Sequence, residues 1–227
     1  MSRLFGEIVE PSTRALIDDD IEEYPDYLGF TPEWEGNATV PKQINSLIVL
    51  ESNVIKDVVN NCVLAQEKSI CKLENGGIEI FQLPNSNYII LYNERKGLNP
   101  GQIVEILEKW IVTSKTIYTV TTDSIYNYQS TNNYKEKPVS LVRVISNVDK
   151  KRNNLEQPNL VTGLGATILE YCIHESIKKC TLYIIYMDKS PLDSFSCTPI
   201  FNVFTEIGIP INNRNIKARE SSNNLYM

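Results

Sequence analysis

Residues 163–187 read "GLGATILEYCIHESIKKCTLYIIYM", and the fold follows from how this stretch divides. Its first part places Ile168, Leu169, Cys172, Ile173 and Ile177 at helical spacing, which predicts a helix from about Gly163 to Lys178 with those side chains inward. Its second part, 181–187, is an almost unbroken apolar run that ends after seven residues. Runs of that length and continuity belong to strands buried on both faces, the usual situation in α/β proteins.

The pattern repeats upstream. "SLIVLE" (46–51) is a short buried strand, and Asn53 is placed to cap a following helix carrying Ile55, Val58, Val59, Cys62 and Val63. "IEIFQL" (78–83) and "NYIILY" (87–92) flank Pro-Asn-Ser-Asn, as a hairpin or two neighbouring strands. Asn99 and Pro100 suit the N-cap and first position of a helix whose face is Ile103, Ile106, Leu107, Trp110 and Ile111. Two strands rich in β-branched residues follow, "KTIYTVTT" (115–122) and "VSLVRVIS" (139–146), separated by a polar loop. A last helix uses Ile200, Val203, Phe204 and Ile207. It opens at Asp193 or at Thr198-Pro199 and stops before Gly208 and Pro210.

Strands alternating with helices predict one α/β domain of three layers, a mainly parallel central sheet covered by helices on both faces. Three segments are expected: an acidic, partly flexible N-terminal arm (1–42), the domain (43–210) and a flexible C-terminal tail (211–227). The tail is polar until Leu225-Tyr226-Met227. Fully extended it reaches at most ~55 Å, and as a coil it spans ~20–25 Å.

Composition narrows the function. With 22 basic and 28 acidic side chains the net charge is −6, and no basic stripe offers itself to nucleic acid or to a membrane surface. No secretory signal opens the sequence, and no run approaches the ~20 apolar residues of a membrane span. Five cysteines without a C-x-x-C pair read as buried free thiols in a cytoplasmic protein, with nuclear or endoplasmic-reticulum association left open.

Catalytic signals are sparse. "TGLGATI" (162–168) contains G-x-G, but Ile168 stands where the dinucleotide fingerprint needs its third glycine. The bland reading is that small residues let the start of this helix pack closely. His174 is the only histidine and falls on the polar side of its helix, so any triad or transition-metal site would have to be built without a second one. The acidic run Asp18-Asp19-Asp20 lacks the ligand order of a calcium loop. No catalytic residue, metal or cofactor is expected.

Three stretches together resemble the proteasome assembly chaperone 1 family: "LFGEIVEPSTRA" (4–15), "LEQPNLVTGLGATILEYCIHESIKKCTLYIIYMDKSPLD" (155–193) and the terminal Leu225-Tyr226-Met227. The resemblance implies a non-enzymatic chaperone that pairs with proteasome assembly chaperone 2. It also implies promotion of α-subunit ring assembly, with the tail inserted as a hydrophobic-Tyr-X motif between α subunits. The sister subunit, or a small Rossmann-like nucleotide-binding enzyme, are the alternatives. Physically, Leu225 would bury apolar area worth up to ~1.5–3 kcal/mol. Tyr226 would need a partner for its hydroxyl, and the terminal carboxylate would accept from a lysine.

Overall fold

The computed structural model describes residues 32–64, 67–94, 98–130, 138–149, 154–177, 179–188 and 196–212. By its contacts the chain divides into residues 1–31 and 32–227; the first unit, most of the predicted arm, lies outside the described residues. In chain order the elements are β1 (Glu35–Gly36), β2 (Ile44–Glu51), α1 (Asn53–Cys62), β3 (Cys71–Leu73), β4 (Ile78–Leu83), β5 (Asn87–Tyr92), α2 (Pro100–Thr113), β6 (Ser114–Ser124), β7 (Ser140–Ser146), α3 (Leu164–His174), β8 (Cys180–Met187) and α4 (Thr198–Glu206).

The eight strands form one sheet in the order β1-β3-β4-β5-β2-β6-β8-β7. Its centre, β5-β2-β6-β8, is parallel throughout. The four outer pairings, β1 with β3, β3 with β4, β4 with β5 and β7 with β8, are antiparallel. The sheet is therefore mixed, and the expectation of a mainly parallel one is corrected. The physical reason lies in the connections. Only three residues, Pro84–Ser86, join β4 to β5, too few for a crossover, so the pair must be a hairpin.

Helices cover both faces. On one, α1 and α4 pack over Ile48, Leu50, Phe81, Ile89, Val120, Tyr183 and Ile185, and Lys56 Nζ reaches Glu79 Oε1 at 3.0 Å. On the other, Trp110 of α2 meets Tyr88 edge-on at 5.5 Å between ring centroids, a geometry favoured by the ring quadrupoles. Alongside, α3 lies against β6 and β8, and Tyr171 donates to Glu108 Oε1 of α2 at 3.1 Å.

Local chemistry explains where the helices begin and end. Asn99 caps α2 in a capping box: its Oδ1 accepts from Gln102 N at 2.9 Å while Gln102 Oε1 accepts from Asn99 N at 2.9 Å. The cap of α1 is Ser52, one residue before the Asn53 expected for it; Ser52 Oγ accepts from Ile55 N at 3.2 Å. Helix α4 opens at Thr198 with Pro199 in its first turn, and Gly208 follows it at φ +79°. Helix α3 is shorter than expected and stops at His174. Ile173, expected inward, is 58% exposed, because its position falls on the flank turned away from the sheet.

Candidate functional site

In an open α/β sheet the ligand crevice lies beyond the carboxyl ends of the parallel strands. Here β2 ends at Glu51, and the G-x-G turn 163–165 starts α3 beside it. Glu51 Oε1 accepts from Leu164 N at 2.9 Å and Oε2 accepts from Gly165 N at 3.0 Å. The first amides of a helix are its natural anion site. A side chain of the protein itself fills that site here, with the two-oxygen geometry a phosphate would use.

Both glycines serve this arrangement. Gly163 sits at φ +99°, and a Cβ there would lie 2.5 Å from Glu51 Oε1. At Gly165 a Cβ would lie 3.1 Å from Leu182 Cδ1 and 3.4 Å from Thr119, and Thr119 Oγ1 donates to Gly165 O at 3.4 Å. The turn is shaped for close packing of helix on sheet and for admitting one carboxylate.

The electrostatics are those of a buried acid. Burial raises the Glu51 carboxyl above its ordinary value, the amides of Gly165 and Leu164 pull it back, and Glu94 pushes it up again. Burial, with Glu51 and Glu94 nearby, also drives the Tyr92 hydroxyl up to about 12. Next in the chain, Ser52 holds φ +125° and ψ 151°, a region that disfavours any residue with a Cβ. Thr122 Oγ1 donates to Ser52 Oγ at 2.8 Å, tying the ends of β2 and β6 together.

The segment containing Glu156-Gln157-Pro158-Asn159 forms a second constellation on this side of the sheet. Asn159 works as a clamp: Nδ2 donates to Gln129 O and to Glu156 O, each at 2.7 Å, and Oδ1 accepts from Gln129 N at 2.8 Å. Arg143 of β7 donates to Tyr128 Oη at 2.6 Å through Nη2 and reaches Glu156 Oε1 at 3.3 Å through the same atom. Two apolar side chains stand out next to this clamp, Leu160 at 87% and Tyr126 at 69% exposure.

The remaining candidates resolve simply. His174 is on the surface and pairs with its neighbour Glu175 at 2.9 Å. All five cysteines are buried and none is in a disulfide. Among the described residues no group of three or more His, Cys, Asp or Glu could hold a metal ion, and no helix is long and apolar enough to cross a membrane. Leu225, Tyr226 and Met227 lie outside the described residues. Sequence reasoning missed Glu51 as a helix cap and Asn159 as a clamp; the glycines at 163 and 165 were the only trace of the cap, and Asn159 stood unassigned in the quoted 155–193 stretch.

The overall fold, a mixed sheet with helices on both faces, is similar to that of solved structures of distant sequence. No protein-family model matches the chain, and no curated protein does. The chain is similar to a protein of unknown function from Thermoplasma acidophilum, with 11% identity, TM-score 0.52, and coverage of 75% of this chain and 77% of that one. It is also similar to PbaA of Pyrococcus furiosus, described as an archaeal homolog of proteasome-assembly chaperone, with 9% identity, TM-score 0.51, and coverage of 79% and 87%. A PAC2 family protein from Streptomyces avermitilis aligns at 7% identity and TM-score 0.47, over 74% and 88%. At such identities the likeness is one of fold.

Proposed function

We propose that this chain is a non-enzymatic proteasome assembly chaperone of the first-subunit type. It pairs with proteasome assembly chaperone 2 through its α/β domain and promotes formation of the core-particle α-subunit ring. Leu225-Tyr226-Met227 is its docking element, seated in a pocket between α subunits.

One coincidence carries the reading. The chain whose segments 4–15 and 155–193 resemble this family also has a fold similar to that of PbaA, at 9% sequence identity. The filled anion site supports the non-enzymatic part: with Glu51 on the amides of Leu164 and Gly165, a phosphate at that turn would meet a carboxylate. A lone tail must order several side chains at ~0.5–1.5 kcal/mol each, so it should bind weakly by itself. A second contact on the same particle makes the hold firm through effective concentration.

The test is a pull-down of α subunits by the chain coexpressed with the sister subunit, comparing full length with a form lacking residues 225–227. Retention of the sister by both forms, with α subunits clearly depleted by the truncation, is the expected result. Absence of α subunits from both forms would overturn the proposal.

A further inference from the structure

We infer that the β7 edge beside α4 is a docking site for an extended, uncharged peptide segment of a partner protein, which adds to the sheet as a ninth strand.

The argument begins with which backbone groups β7 leaves open. Residues of an antiparallel strand alternate between facing their partner and facing outward. Val144 belongs to the outward set, since its N donates to Asn154 Oδ1 at 2.6 Å and its O accepts from Asn154 N at 3.0 Å. Ser140 and Val142 share that parity. They stand opposite Met187 and Ile185 on β8 and point their amides away from it. Among the described residues nothing takes the N–H of Ser140, the N–H of Val142 or the C=O of Ser140; the C=O of Val142 receives only a 3.4 Å contact from Arg143 Nη1. Asn154 thus protects one half of the edge, as proteins commonly do, and the other half is left unprotected.

The unprotected half borders a groove of about 400 Å³. Residues 139–142 form one wall, and Ser196, Pro199 and Asn202 at the start of α4 line the other. None of the described residues lining it carries a charge, and Val139 at its mouth is 65% exposed. An open ladder gives a strand its main-chain partners, and the adjoining groove takes an alternate side chain, the two elements of recognition by strand addition. The neutral lining selects an uncharged segment. A two-residue ladder falls well short of the ~1,200–2,000 Å² buried by a stable protein interface, which favours a peptide segment over a second whole copy. This inference stands apart from the chaperone reading and does not depend on the tail.

Amide hydrogen exchange on the full chain tests it, with a capped pentapeptide of alternating threonine and valine as probe at millimolar concentration. The peptide should slow exchange at Ser140 and Val142 by about tenfold, equivalent to ~1.4 kcal/mol of added protection, and leave Val144 unchanged. Ser140→Pro, at the first residue of the strand where proline is tolerated, and Val142→Pro each remove an outward N–H and should abolish the effect. Persistent slow exchange across β8 will show that either variant is folded. No slowing with peptide, or slowing that survives both prolines, overturns the site. Protection that grows with protein concentration without peptide makes the occupant a second copy. Protection in dilute free chain that disappears on deleting residues 213–227 makes it the chain's own tail. Either result overturns the assignment to a partner.

Discussion

The carboxylate of Glu51 caps helix α3 from 113 residues away in sequence, accepting from Leu164 N at 2.9 Å. The link joins the end of β2 to the start of a helix two crossovers later. It makes the packing of α3 on the sheet conditional on one acid.

Removing that acid leaves the amides of Leu164 and Gly165 buried without an acceptor, at about 1–3 kcal/mol apiece. Glu51→Ala is expected to lower the unfolding free energy by about 2–5 kcal/mol, read as a fall in urea midpoint at constant slope. The pH dependence has a definite sign. Burial raises the folded-state value of Glu51 above its ordinary 4.5, so the folded protein holds this proton more tightly than the unfolded chain does. Its contribution is fully present below pH 4.5 and declines as pH rises through the folded-state value. The stability difference between wild type and Glu51→Gln should therefore shrink as pH rises across that window. A difference that grows with pH would show that the two amides outweigh burial.

Gly163 and Gly208 provide an internal control for steric contact against backbone strain. Both hold positive φ, +99° and +79°, but a Cβ at Gly163 would lie 2.5 Å from Glu51 Oε1, whereas one at Gly208 meets nothing within 4 Å. Gly208→Ala should cost about 1 kcal/mol, the conformational penalty alone. Gly163→Ala should cost about 2–4 kcal/mol, because the carboxylate must also leave its amides. Equal losses in thermal or urea unfolding would mean that the Glu51 contact carries no weight.

Ser52 sets a strained backbone against a useful side chain. A residue with a Cβ at φ +125° and ψ 151° costs about 1–3 kcal/mol, while replacing a serine cap by glycine costs only a few tenths. Ser52→Gly should stabilise the protein by about 1 kcal/mol, after allowing for the looser unfolded chain. Ser52→Ala keeps the strain and loses both the Ile55 cap and the partner of Thr122, so it should destabilise by about 1–2 kcal/mol. The opposite signs are the test, and urea midpoints of the two variants decide it.

Legibility in the sequence tracked the range of the interaction. The Asn99-Pro100 start of α2 was readable because a capping box is closed within four residues. Of the central parallel strands, β2, β5 and β8 were readable from apolar runs imposed by burial on both faces, and β6 from its β-branched residues. By contrast, β1 and β3, with two and three residues, are too short to show a period, and β7 joins the sheet antiparallel through pairings made only in three dimensions. Glu51 looked like the polar end of a strand, since nothing local marks a cap whose partner amides are distant. The small residues around Gly163 did announce close packing at the start of α3, and Leu182 and Thr119 are what they pack against.

The cysteines give the last test, because all five are closed off from solvent, even though the Cys172 thiol is lowered by its hydrogen bond with Cys180. Cys62, Cys71, Cys172, Cys180 and Cys197 are all at most 1% exposed and none is in a disulfide. Reaction of a thiol needs both access and the thiolate. Burial raises Cys62, and lifts Cys71 to about 11, so little thiolate exists there at neutral pH. Native protein mixed with a chromogenic disulfide at neutral pH should show no fast phase, and all five thiols should react once urea unfolds it. The native labelling rate should then equal the opening rate, or the fraction opened multiplied by the labelling rate of the unfolded thiol. Glu51→Ala should speed it most at Cys172, which lies in the helix that Glu51 holds. A fast stoichiometric phase in the folded wild type would contradict this burial, and equal acceleration at all five thiols would mean that Glu51 secures the domain as a whole rather than α3.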